Sequence, residues 1–369
     1  MTPKERLLAI LNGQPVDRPA FSPFLSYWWE AQDDAFTDKG ELEFLESIGA
    51  DPLFRGHYPM TGKNYRDMVL FKRKIEDCRI EETISGNRKE KKYITSKGTL
   101  TFGYQYVSES NTWFLVDHPV KEEEDFELLI YIMDNTTLEP DYEEFDRAVE
   151  NLGDRGLLLP IVAPELKSSF QSLLETWVGT EELVYAIMDY PELVERTMAS
   201  MRRVSREAAK IAAASSSPVF LSWEDTSTTN ISPQYYEQYI LPEINEWCDI
   251  LHASGKLYIQ HACGQLKDLM DMIASSKIDC LESLSPAPTG NVEILDARKR
   301  LPESITVIGG IEPTILLNSS EEELEKLASE LLDMMQGYRY VLANSDSCPP
   351  GVTVAKFELL AKLAQNAKC

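Results

Sequence analysis

From residue 156 onward the chain repeats one pattern. Short β-forming runs occur at GLLLPIVAP (156–164), PVFLSWED (218–225), KLYIQHACG (256–264), KIDCLESLS (277–285), ITVIGGIEP (305–313) and YRYVLANSDS (338–347). Helical stretches separate them, most clearly SPQYYEQYILPEINEWCDILHASG (232–255) and SSEEELEKLASELLDMMQG (319–337). Strands that alternate with helices pair in parallel through right-handed crossovers, so the pattern restricts the chain to an α/β fold with a parallel sheet. Two more strand-like runs lie near the N-terminus, PAFSPFL (19–25) and the region around GADPLFRG (49–56). Eight strands suit a (β/α)8 barrel of the TIM type, and 369 residues are enough to build one.

The remaining segments decorate that frame. Thr2, Pro3 and Glu5 form a capping-box signature for a first helix whose apolar face is Leu7, Leu8, Ile10 and Leu11, ended by Gly13. Residues 65–118 alternate and carry turn signals, which predicts a small antiparallel meander inserted into the barrel. Within it, GNRKEKKYITSKG (86–98) reads as a solvated β-turn region, and helices take over from about residue 121. No sharp linker or internal repeat is present, so 1–369 is expected to be one decorated barrel domain with an N-terminal helical segment.

Charge and cysteine usage exclude several classes. A formal net charge of −25 argues against a nucleic-acid partner, which needs clustered Lys and Arg. No apolar run approaches the roughly 18 residues a membrane span requires, and the N-terminus lacks a signal peptide's apolar core. No membrane association and a cytoplasmic location are therefore expected. The six cysteines are scattered, which argues against a disulfide framework. Cys78, Cys248 and Cys280 read as core, and Cys369 as terminal and exposed.

In a β/α barrel the residues just past the strand C-termini line the active site. Here those are Glu165, Glu224 and Asp225, His261 and Cys263, Glu282, Glu312, Asp346 and Cys348. His261 and Cys263 stand two apart at one strand end, a spacing that lets both point the same way. Imidazole nitrogen and thiolate sulfur are favoured zinc ligands. Cys348, after the last strand, is a third ligand that barrel closure would bring round, and Glu224 a fourth or an orienting group. These residue types alone leave open ordinary packing at a strand end. Neither a dinucleotide-binding nor a P-loop glycine pattern is present, and GGI (309–311) is too little for a phosphate site.

Taken together, TPKERLLAILNGQPVDRPAF, TSKGTL, ISPQYYEQYILPEIN, HACGQLKDLMDMI and VIGGIEP resemble the uroporphyrinogen decarboxylase superfamily along nearly the whole chain. That superfamily implies the barrel and has at least two functional branches. The decarboxylases carry an arginine-rich N-terminal segment for their substrate's carboxylates, whereas the stretch here, SPFLSYWWEAQ (22–32), has no arginine. The other branch, the corrinoid-dependent methyltransferases, binds zinc through H-x-C…C, which His261, Cys263 and Cys348 (in NSDSCPPGV) match in order.

The resemblance implies an enzyme that moves a methyl group between a small substrate and the cobalt of a corrinoid (cobalamin). Because the chain has no D-x-H-x-x-G signature, the corrinoid is expected on a separate partner protein. Zn2+ would be held by His261, Cys263, Cys348 and Glu224, with Glu224 and Asp225 as catalytic carboxylates. Tyr27, Trp28, Trp29, His57, Trp223 and Glu282 are the candidates for touching substrate. That aromatic supply tilts the expectation towards a methoxylated aromatic or other methyl ether and away from a thiol. A decarboxylase-like lyase and a non-catalytic tetrapyrrole- or corrinoid-binding protein are the alternatives, and pairing as a homodimer is open.

Overall fold

The computed structural model describes residues 1–108 and 111–368; Cys369 lies outside them. By its internal contacts the chain forms two compact units, Met1–Val69 with Glu143–Ile161 and Ser216–Cys369, and Leu70–Tyr142 with Val162–Ser215.

The first unit is the eight-stranded barrel. Its strands are β1 (Ala20–Phe21), β2 (Leu53–Arg55), β3 (Leu157–Leu159), β4 (Val219–Trp223), β5 (Leu257–His261), β6 (Cys280–Leu284), β7 (Thr306–Ile311) and β8 (Tyr340–Asn344). β4 to β8 pair in parallel in chain order, and β8 pairs with β1. β2 pairs in parallel with β3. Two short links complete the ring: the Asp51 N–H donates to the Phe21 carbonyl at 2.7 Å, and Leu221 N–H to that of Pro160 at 3.0 Å.

Apolar runs on β3 to β8 are what a sheet covered on both faces requires. Leu159, Leu221, Ile259, Cys280, Ile308 and Ala343 belong to one buried core cluster with Leu7, Ile10 and Leu11 of the first helix, Pro3–Leu11. That helix starts on the Thr2–Glu5 capping box. Its Arg6 reaches Asp17 and Asp51, tying the helix to the N-terminal end of the barrel. A second capping box, Ser320 with Glu323, opens the helix Glu321–Met334.

The second unit carries the antiparallel insertion. Cys78–Ser85, Arg88–Thr95, Gly98–Val107 and Thr112–Asp117 form a four-stranded sheet in chain order. Phe71–Ile75, expected in the same meander, pairs instead with Thr136–Pro140. The basic stretch expected as a turn region is mostly strand. Lys91 and Lys92 sit opposite Glu82 and Glu81, and Tyr93 is buried against Phe102 and Trp177. Cross-strand charge pairs and one aromatic anchor outweigh its poor hydropathy. Among the described residues no helix is long and apolar enough to cross a membrane.

Candidate metal centre

Three adjacent strand ends set the site. Parallel register puts Trp223 of β4 beside His261 of β5, and His261 beside Glu282 of β6. The Trp223 ring meets the His261 ring edge-on at 4.8 Å. Glu282 is fully buried with both oxygens engaged: Oε1 accepts from Arg55 Nε at 2.8 Å, and Oε2 lies 2.5 Å from His261 Nδ1. Arg55, itself buried, also donates to the Ser22 carbonyl at 3.0 Å. A carboxylate on Nδ1 sets which ring nitrogen carries the proton and turns Nε2 towards the site, the arrangement that orients metal-binding histidines.

Past the strands, two loops bring Asp225 and Cys263 to that nitrogen. Asp225 has a φ of 31°, a left-handed conformation unusual for a non-glycine residue and frequent where a side chain must be aimed. The loops are tied together by Gln265 N–H on Ser227 Oγ at 3.0 Å and Thr228 N–H on the Gln265 carbonyl at 2.9 Å. Gly264 has a φ of 87°, and a Cβ there would lie 2.7 Å from Ser227, which explains the glycine after His–Ala–Cys. In consequence Asp225 Oδ1 stands 3.5 Å from both Cys263 Sγ and His261 Nε2. One ligand atom from each of the three residues lies within 4.8 Å of the others.

The electrostatics suit a cation. Burial opposes charge on His261, yet Glu282 and Cys263 outweigh it and raise its pKa well above 6.5. Burial pushes the Cys263 thiol up to about 11, against the pull of His261 and with Asp225 and Asp346 adding to the rise. A metal ion would displace both protons and hold the sulfur as thiolate. One nitrogen, one sulfur and one carboxylate oxygen, with the imidazole already oriented, fit a zinc ion, which would keep its fourth position open.

The centre opens on a cavity of about 480 Å³, lined among others by Phe24, Tyr27, Trp223, Thr289 and Asp346. Phe24 stacks on Trp223 at 5.6 Å. A hollow of about 510 Å³ at the strands' N-terminal end, beside Gln14 and Arg339, gathers no comparable set of groups.

The family model for uroporphyrinogen decarboxylase (URO-D) matches residues 106–367. The chain belongs to this family. Among solved structures, a methyltransferase from Methanosarcina mazei aligns over 99% of this chain and 98% of its own, with a TM-score of 0.62 at 14% identity. A B12-independent methionine synthase from Shewanella sp. W3-18-1, in complex with selenomethionine, aligns over 94% and 97% with a TM-score of 0.50 at 10% identity. At such identities the likeness shows a shared fold. No curated protein matches the sequence.

Of the residues that resemblance to this URO-D family suggested, the structure brings His261 and Cys263 together and sets beside them Asp225, expected as a catalytic carboxylate and not as a ligand. Glu224 lies elsewhere: it accepts from Ser222 Oγ at 2.7 Å, on the face of β4 opposite Trp223, because alternate strand residues point to opposite sides. Cys348 is fully buried, with Sγ 3.8 Å from the Pro349 carbonyl, and is not in the three-residue group. Tyr27 and Trp223 line the cavity, but Trp28 and Trp29 do not. Those two are buried against Phe36 and Phe44, with Nε1 donating to the Val352 and Gly62 carbonyls. His57 is buried on Glu41 and the Arg55 carbonyl, away from the cavity lining. Glu282 serves His261 and Arg55 instead of lining the cavity. Sequence reasoning missed Arg55 and Phe24 and gave Asp346 no role. The signal for Arg55 is a charge placed directly after the apolar run 52–54 and before Gly56, where a buried strand end is expected.

Proposed function

We propose that this URO-D family protein is a zinc-dependent methyltransferase that moves a methyl group between a small substrate and a corrinoid carried on a separate protein. The observation that carries this reading is the grouping of His261, Cys263 and Asp225, with His261 oriented by Glu282, at the strand ends beside an open cavity. The M. mazei methyltransferase, alike in fold over almost its whole length, supports it.

Zinc bound there would supply Lewis acidity, holding a substrate thiol as thiolate near neutral pH. The chain's own residues prepare that site. Glu282 keeps the Nδ1 proton of His261, so Nε2 is the nitrogen offered to the ion. Arg55 holds Glu282 in place and compensates its buried charge. Phe24 and Trp223, stacked on each other, give one side of the cavity an apolar wall, while Tyr27, also in the lining, is 38% exposed. With Trp28 and Trp29 in the core, the aromatic surface that favoured a methoxylated aromatic shrinks, and a thiol acceptor becomes the better fit.

A lyase acting on a polycarboxylate is less well supported, since no Lys or Arg is among the residues lining the cavity. The test is methyl transfer from methylcobalamin to a thiol by zinc-loaded protein, with Cys263→Ala beside it. Transfer that needs both zinc and Cys263 supports the reading. Equal rates with and without either would defeat it.

A further inference from the structure

A charge count in the cavity narrows the substrate. Two positive charges of a bound zinc would be balanced by the Cys263 thiolate and the Asp225 carboxylate, and Arg55 balances Glu282. One carboxylate is left over. Asp346 lines the same cavity, half-buried, and Oδ1 accepts the Ser347 N–H at 2.6 Å. Apart from Asp225 and His261, which the zinc centre itself would use, the other lining residues are Phe24, Tyr27, Trp223, Thr289, Pro313 and Ser347, and none of them is a Lys or Arg that would offset it. Asp346 also shares its space with the aromatic rim. Burial, then Asp346, then Asp225 raise the pKa of the Tyr27 hydroxyl. A surplus carboxylate beside Trp and Tyr rings attracts organic cations by Coulomb and cation–π forces and repels anions.

We infer that the methyl acceptor is a compact aminothiol, its sulfur at the His261–Cys263–Asp225 centre and its ammonium group beside Asp346. The inference rests on the methyltransferase reading and adds the acceptor's charge. In the transfer itself, a sulfur lone pair forms the new sulfur–carbon bond. The electron pair of the broken carbon–cobalt bond stays with the corrinoid, which leaves demethylated and two electrons richer at cobalt, and the thiol proton goes to water. The ammonium takes no part in bond making; it positions the sulfur.

Three thiols of similar size separate the possibilities: cysteamine (cationic), mercaptoethanol (neutral) and mercaptopropionate (anionic). Calorimetric titration into the zinc-loaded protein should rank them in that order, with about a tenfold gap between the first two, as expected for one screened charge pair. Asp346→Asn should bring cysteamine to within about threefold of mercaptoethanol, and Asp346→Glu should restore the gap. Mercaptopropionate binding as tightly as cysteamine, or a preference that survives Asp346→Asn, would overturn the inference while leaving the methyltransferase reading intact. Failure of all three thiols to bind or accept methyl would overturn both. Should Asp346→Asn fold poorly, the ranking on the parent protein already decides.

Discussion

Two cysteines follow barrel strands at the same end of the molecule, Cys263 after β5 and Cys348 after β8, and their surroundings differ. Cys263 is half-buried beside Asp225 and an imidazole that Glu282 and Arg55 hold in place. Cys348 is fully buried, burial pushes its thiol pKa up, and its backbone N–H is spent on the Phe24 carbonyl at 3.0 Å. A thiol becomes a ligand through charged, oriented neighbours; the same group in apolar packing behaves as a small hydrophobe.

That contrast is sharpest in single variants. Cys263→Ala should abolish tight zinc binding, whereas Cys348→Ala should keep about one zinc per chain and lose stability through a cavity. Metal analysis after dialysis against a weak chelator, with a melting curve for each protein, reads both effects. Zinc lost equally from the two variants would erase the distinction.

The aromatic segment after β1 offers a parallel contrast. Trp28→Ala should cost about 3–5 kcal/mol, because a fully buried indole with a bonded N–H is removed from the core. Trp223→Ala should cost less stability and weaken thiol binding instead. Denaturant titrations and ligand titrations of the two variants would show whether the effects divide this way.

Next in size is the support behind His261. Glu282→Gln should weaken zinc about 10–100-fold while Cys263 stays in place. Arg55→Met should do likewise and also destabilise the fold, since it strands Glu282 as a buried charge without its cation. Competition with a chromogenic chelator measures the affinities. An unchanged affinity in Glu282→Gln would mean that the carboxylate does not orient the imidazole.

The smallest effect concerns His57, the histidine that belongs to packing. Burial opposes its charge, but Glu41 outweighs it and raises the folded pKa above 6.5, against a smaller opposing contribution from Arg55. A raised histidine pKa gives stability that is fully present below the unfolded value and is lost as pH rises through the folded value. The stability gap between the parent and His57→Gln should therefore be larger at about pH 6 than at about pH 9. A gap independent of pH would show that the pair is not an ion pair.

How much of this was legible in the sequence depends on the range of the interaction. The strands from β3 to β8 are local apolar runs, and each lies within the segment that reads as β-forming. The same holds for the two capping boxes. His261 and Cys263 were visible because a spacing of two in a strand is itself geometry. Glu224 misled for the same reason: one residue's difference from Trp223 turns its side chain to the other face of β4. The Arg55–Glu282–His261 chain joins β2, β6 and β5: pairing of two neighbouring strands aligns His261 with Glu282, but Arg55 meets Glu282 only once the barrel has closed. Trp28 and Trp29 beside Tyr27 looked alike in composition; a short helix, Tyr27–Glu30, sends two of the three into the core.

The most direct test of the centre is X-ray absorption at the zinc edge on the purified, zinc-loaded protein. The His261–Cys263–Asp225 assignment predicts a single sulfur scatterer at about 2.3 Å, with the remaining ligands nitrogen or oxygen. Two sulfur scatterers, with the second lost in Cys348→Ala, would contradict it, and so would a folded protein that holds no zinc.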